Sequence, residues 1–219
     1  MKLLVEPAVS ALGIGVCLAL FRGARVSNRS NPLEKRKKEA LETLRAVDVA
    51  AHPILAGYRA LHARVGAAGT VLPPAQHLIA LAQSGGRLPN INTVVDCYNL
   101  ISALTGLSVG AHDLAQVRGD LRFRLTTGAE RYTPLGEERP VPVAAGEYAC
   151  LDGEKVLCRL DVKQCQETRI TKATTEFLVY VQGNPATREE DLLAGLRRIG
   201  DLVGEICGGS RESIAPVAG

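Results

Sequence analysis

Apolar residues recur at helical spacing through much of this chain. Ser30-Asn31-Pro32 reads as a helix start, a capping side chain followed by proline at the first helical position. Leu33, Lys37, Ala40, Leu41, Leu44 and Val47 then share one face. A second helix begins at Pro53, with Ile54, Tyr58, Leu61 and Val65 together, and a third runs from Pro73-Pro74 through Leu81 to a stop at Ser84-Gly85-Gly86. A fourth spans Thr93 to Leu104 and turns Val94, Cys97, Tyr98 and Ile101 inward. The period then drops to two: Leu121-Arg122-Phe123-Arg124-Leu125 alternates apolar and cationic residues, the mark of a strand with one buried face. Strands are also expected at Glu147–Leu151, Lys155–Leu160 and Phe177–Gln182, between Gly, Pro and Asp-Gly turns, and Gly13 to Phe21 reads as a buried strand entered through glycines. Thr187 is expected to cap a last helix whose first turn carries Glu189, Glu190 and Asp191. Leu192, Leu193, Leu196, Ile199 and Val203 face inward, and Gly208-Gly209 ends it. The tail to Gly219 is expected to lack regular structure. Helices, then strands, then a closing helix predict an α+β domain over residues 1–219, with helices packed on one mixed β-sheet.

With 219 residues, 46% hydrophobic and 22% charged, the chain has room for a core in two parts and is neither disordered, collagen-like nor a disulfide mini-protein. Aromatic residues are only 4%, with no Trp, which argues against a surface that stacks on bases. The net charge of +3 neither demands nor excludes a polyanionic partner. Six scattered cysteines without a CxxC pair point to reduced thiols in a cytoplasmic protein, with no metal site and no cofactor. The apolar run before Phe21 is shorter than the ~20 residues of a membrane span, and Glu6-Pro7 interrupts a signal-peptide pattern; a core strand is expected and no membrane association, a targeting segment being the alternative.

No GxSxG, HExxH or GxxxxGK[ST] motif is present. Polar residues instead gather in the stretch from Leu88 to Ser102, where Asn90, Asn92, Asp96 and Asn99 stand among apolar neighbours. Asn92, Asp96 and Asn99 fall at i, i+4 and i+7, on one helix face; an unsatisfied buried group costs ~1–3 kcal/mol, so they either brace loops or line a polar pocket. His112 and Asp113 are adjacent on an extended segment and point to opposite faces, which argues against joint acid–base work. His52, His62 and His77 have no carboxylate or cysteine at ligand spacing and read as packing or surface residues. A second cluster holds Arg159, Lys163, Gln164, Glu167, Thr168 and Thr171. In one reading Arg159 and Lys163 hold a phosphate or carboxylate while Asn92, Asp96 and Gln164 position a polar group or water. In the other, Arg159 pairs with Asp161 or Glu167 at the surface.

Several motifs agree in order: Leu88-Pro-Asn-Ile-Asn-Thr-Val-Val-Asp-Cys-Tyr-Asn99, Gly110-Ala-His-Asp-Leu114, Gly119 with Arg124, Gly128-Ala-Glu130, Pro134-Leu-Gly136, Gly146-Glu147, and Val156-Leu-Cys-Arg159 through Gln164 to Thr168-Arg-Ile-Thr-Lys-Ala-Thr174. From about His52 to Val181 the chain resembles the B3/B4 tRNA-editing domain of the phenylalanyl-tRNA synthetase β subunit, and still more the free-standing B3/4-domain proteins. The resemblance implies a tRNA- or aminoacyl-tRNA-binding module, with a trans-acting hydrolase of mischarged aminoacyl-tRNA or a small-molecule amino-acid binder as alternatives. In register, the synthetase's editing histidine falls on Gly110, its pocket glutamate on Tyr180 and its glycine-rich stretch on Leu160 to Cys165. The candidate pocket is therefore Asn90, Asn92, Asp96, Asn99, His112, Asp113, Arg159, Lys163, Gln164 and Thr168, with no catalytic residue assigned.

Overall fold

The computed structural model describes residues 1–217, the last five by backbone alone. Its elements are β1 (Leu3–Val5), α1 (Pro7–Ser10), β2 (Val16–Arg22), α2 (Asn31–Arg45), α3 (Pro53–Arg64), α4 (Pro74–Gly85), α5 (Thr93–Thr105), β3 (Ser108–Asp113), β4 (Leu121–Leu125), β5 (Tyr148–Leu151), β6 (Val156–Arg159), β7 (Lys163–Gln164), β8 (Glu176–Gln182), α6 (Glu189–Cys207) and β9 (Ser210–Val217). The fold is α+β, but the strands form two sheets rather than one. A mixed sheet has the order β1-β4-β5-β6-β7, with β1 parallel to β4, and an antiparallel sheet has the order β3-β8-β2-β9.

The period of two in β2 and β8 produces the layering. Cys17, Ala19 and Phe21 with Phe177, Val179 and Val181 face the helices; Leu18 and Leu20 with Leu178 and Tyr180 face the mixed sheet. A strand covered on both faces has no polar side to show, which is why the stretch before Phe21 is apolar at every position. Phe21 stacks on Phe177 at 4.9 Å on the helical side, and Phe123 meets Tyr180 edge-on at 5.3 Å between the sheets.

Local signals place the helix ends, although Ser30 sits at the start of α2 without a side-chain cap bond and Thr187 does not cap α6. Gly106, at φ +76°, closes α5 in the left-handed conformation that glycine adopts without strain. At α6 the N-cap falls on Arg188 rather than the expected Thr187, and the Arg188 backbone N–H donates to the Asp191 carboxylate. The tail after Gly209 was expected to be irregular; residues 210–217 form β9 against β2, because β2 offers an open edge there, while 218–219 lie outside the described residues. Tyr58 of α3 joins the layers: its hydroxyl accepts from Ser108 N–H at 2.9 Å and donates to the Gln182 carbonyl.

Candidate functional site

The strand order leaves β3 at the rim of its sheet. Backbone groups along a strand point alternately to either side, and three bonds fix the phase. Gly183 donates to Gly15 and Ala24 donates to Thr175, so odd residues of β8 face β2 and even ones face β3; Asp113 N–H points the other way and donates to the Thr168 carbonyl at 2.9 Å. Val109 and Ala111 share the phase of Asp113. Their N–H and C=O groups leave the sheet sideways, and among the described residues no protein group bonds to them.

The segment that might have covered this edge is tied to β3 at two points. Ser108 Oγ donates to the Asp161 carbonyl at 3.0 Å, and Thr168 receives Asp113. Between these tethers the chain bows toward the mixed sheet, with β7 on β6, Cys165 donating to Leu157 and Gln166 donating to Thr133. The gap is a cavity of about 260 Å³. Its walls are Val95, Tyr98 and Asn99 of α5, Val109, Ala111 and His112 of β3, and Val162, Gln164, Cys165, Arg169 and Ile170 opposite.

His112 is 1% exposed. Its Nδ1 lies 2.7 Å from Thr168 Oγ1, which lies 2.8 Å from Cys165 Sγ, and its Nε2 has no partner. Burial holds its pKa down to about 3, so the imidazole is neutral at physiological pH. Gln164 Oε1 is likewise buried without a partner. Burial pushes the Cys165 thiol up, away from the reactive thiolate. No carboxylate lines the cavity, and Arg169 stands exposed at its mouth, donating to the Gln166 carbonyl.

Of the ten candidate residues, Asn99, His112 and Gln164 line this cavity, and buried Thr168 orients His112 from behind. Lys163 and Arg159 line an adjoining chamber of about 440 Å³ that shares Leu135, Val162 and Gln164 with the first. Arg159 is already paired there: its Nε and Nη2 donate to Glu147 at 2.7 and 2.8 Å, over the Tyr132 ring, and it pairs with neither Asp161 nor Glu167.

The remaining four are occupied in bracing. Asn92 caps α5 by accepting from Val95 N–H at 3.0 Å and donates to the Ile170 carbonyl at 3.2 Å. Asp96 accepts from Ile91 N–H and from buried Lys37, whose ammonium also reaches Glu34, the Pro89 carbonyl and Asn90. Asp113 accepts from Ala115 N–H and Thr174 Oγ1, away from His112 as strand alternation requires. The reading in which Asn92 and Asp96 hold a ligand beside Arg159 is therefore replaced by one in which all three hold the protein together.

Sequence spacing gave no sign of a second buried group. His62 Nε2 lies 2.9 Å from Asp161 Oδ1, which also accepts from the Tyr148 hydroxyl, although 99 residues separate the first pair. His62 thus has a carboxylate partner after all, supplied by the tertiary fold. Asp161 and Leu160 both have φ +51°, in a turn closed by Val162 N–H on the Arg159 carbonyl. Left-handed non-glycine residues cost roughly 1–2 kcal/mol each, and the bonds to Asp161 hold the turn against that strain.

The sequence model of one family, the B3/4 domain, matches residues 57–208. The chain belongs to the B3/4 domain family. Its fold is similar to that of an N-terminal fragment of the phenylalanyl-tRNA synthetase β subunit from Pyrococcus horikoshii, with a TM-score of 0.53 and 12% identity. The match covers 96% of this chain and 50% of the other, so this B3/4 domain spans half the length of that structure. No curated protein matches the chain. Among the described residues no helix is long and apolar enough to cross a membrane, and no three metal-ligating side chains converge.

Within this B3/4 domain, Gly110 and Tyr180 are cross-strand partners on β3 and β8. The Tyr180 ring lies over Gly110, where a Cβ would overlap it, and stacks on His112 at 5.8 Å. The tyrosine ring and its hydroxyl therefore fill the space over Gly110.

Proposed function

We propose that this B3/4 domain binds the aminoacyl end of an aminoacyl-tRNA, with the cavity at the β3 edge receiving the aminoacyl group. The observation that carries the reading is a buried, neutral His112 with an unpartnered Nε2 on the wall of a residue-sized cavity, in a fold shared with a tRNA synthetase subunit. Apolar walls with a few convergent polar groups are what a small-ligand site presents. Arg169 and Lys163 flank the two chambers and supply positive charge for the terminal phosphates. The chemistry of the walls favours binding over hydrolysis. A general base works best with a pKa near the working pH, and the cavity has no carboxylate, no activated thiol and an imidazole held near 3. Tyrosine editing in the synthetase manner is further disfavoured by Gly110 and Tyr180.

The test is a panel of correctly charged, mischarged and uncharged tRNAs, with equilibrium binding and amino-acid release both measured. Gln164→Ala is the informative variant, since Asn92 and Asp96 brace the fold and their loss would lower stability rather than report on the cavity. Charged tRNA is expected to bind at least about tenfold tighter than uncharged, without release, and Gln164→Ala to erase that preference; phosphate contacts will make both weaken with salt. Equal binding of charged and uncharged tRNA would sink the reading. Catalytic release of one amino acid would replace it with a trans-acting hydrolase.

A further inference from the structure

We infer that the open edge of β3 grips one α-aminoacyl unit by its main-chain atoms, Ala111 exchanging hydrogen bonds with the ligand's carbonyl and amine as it would with an added strand. This rests on the aminoacyl reading above and names what in the cavity recognises that group. In an antiparallel pair one residue gives an N–H and a C=O to the residue opposite, and Ala111 and Val109 offer both, turned into the cavity. No protein group among the described residues takes these N–H and C=O groups, so the edge can meet a ligand's donors and acceptors.

The tethers set the size of the occupant. Ser108 is tied to Asp161 and Asp113 to Thr168, and the β3 span between them is about 17 Å at ~3.4 Å per residue, with only two outward residues inside it. A continuing polypeptide is stopped at both ends, whereas a single terminal unit fits. The cavity, about 260 Å³, lies below the ~300–1,000 Å³ of sites that enclose drug-sized ligands. An α-amine and a carbonyl are common to every aminoacyl group, so the edge recognises the class. The walls on either side, Tyr98 with Asn99 and His112 with Gln164, meet the side chain and choose the member.

The experiment titrates the full ¹⁵N-labelled chain with amino-acid amides, which keep the amine and carbonyl of an aminoacyl ester without hydrolysing, and with matched acyl amides lacking the amine. Saturable shifts at the Val109 and Ala111 amides, at least about tenfold weaker for the des-amino compounds, are expected. Val162→Phe, which fills the gap from the opposite wall, should abolish them while its thermal unfolding stays cooperative. Equal binding of the des-amino compounds, absence of any binding, or shifts confined to His112 and Gln164 would overturn the inference. Uncharged tRNA titrated in parallel separates the two readings. A silent tRNA with a responsive edge removes the RNA part and keeps the edge site; bound tRNA with no edge response to the amides does the reverse.

Discussion

At the N-terminal end of α5, Lys37 satisfies Asn90 and Asp96 and backbone groups satisfy Asn92, whereas alongside the same helix His112 and Gln164 leave a nitrogen and an oxygen unpartnered at a cavity wall. Both groups are polar, and Lys37, Asn92, Asp96 and His112 are buried. The difference is where partners come from. In the first cluster α2 delivers an ammonium to a ready set of acceptors, so the network closes on itself. In the second, the chain opposite β3 swings away between two tethers and closes nothing. Polar residues that complete each other hold a fold together; those left open are free to meet something else.

Breaking the closed cluster should have the largest effect. Lys37→Ala strands Asp96, 2% exposed, without its cation and should cost about 3–5 kcal/mol, read as a fall in the urea midpoint; Lys37→Met with Asp96→Asn should recover much of it. A rise of the double variant no better than the single one would show the pair is not coupled. Next comes acid. Burial depresses the His112 pKa to about 3 from ~6.5 unfolded, so between those values the unfolded chain takes up more protons. Stability from this residue is complete above pH 6.5 and is lost as pH falls, by about 2 kcal/mol at pH 5. His112→Gln should lose that increment of acid sensitivity between pH 7 and pH 5; an unchanged slope would refute the assignment. Asn92→Ala removes a helix cap and should cost ~1 kcal/mol in thermal or urea unfolding. The smallest stability change is expected for Gln164→Ala, within about 0.5 kcal/mol, because its Oε1 has nothing to lose in the empty protein. A large destabilisation there would erase the contrast between the clusters.

The helices α2 to α6 and strands β4, β5, β6 and β8 were legible because each carries its own periodicity and stop signals. β1, β7 and β9 were not, since two or three residues hold no period and the Ser210 segment becomes a strand only because β2 needs an edge partner. The division into two sheets follows from strand order, which local patterns do not encode. Within the site, polarity marked Asn92 and Gln164 equally; only the tertiary partners separate a cap from a cavity wall. Arg159 looked like an anion ligand because Glu147 is 12 residues away, just before the neighbouring strand β5. The most telling groups, the edge N–H and C=O of Val109 and Ala111, belong to residues whose side chains carry no chemical signal at all.

The Tyr58 hydroxyl stands where Ser108 and Gln182 would otherwise exchange a backbone bond, so a helix residue supplies the final rung of a strand ladder. A slip of one residue in β3 would part Gly110 from Tyr180 and swing His112 to the helical face. Tyr58 works against that slip as an index mark, reading the alignment of the strand from the helical layer. Which side chains the cavity presents is therefore set partly by a tyrosine some fifty residues upstream that hydrogen-bonds to none of them, and repacking α3 would retune the site from behind.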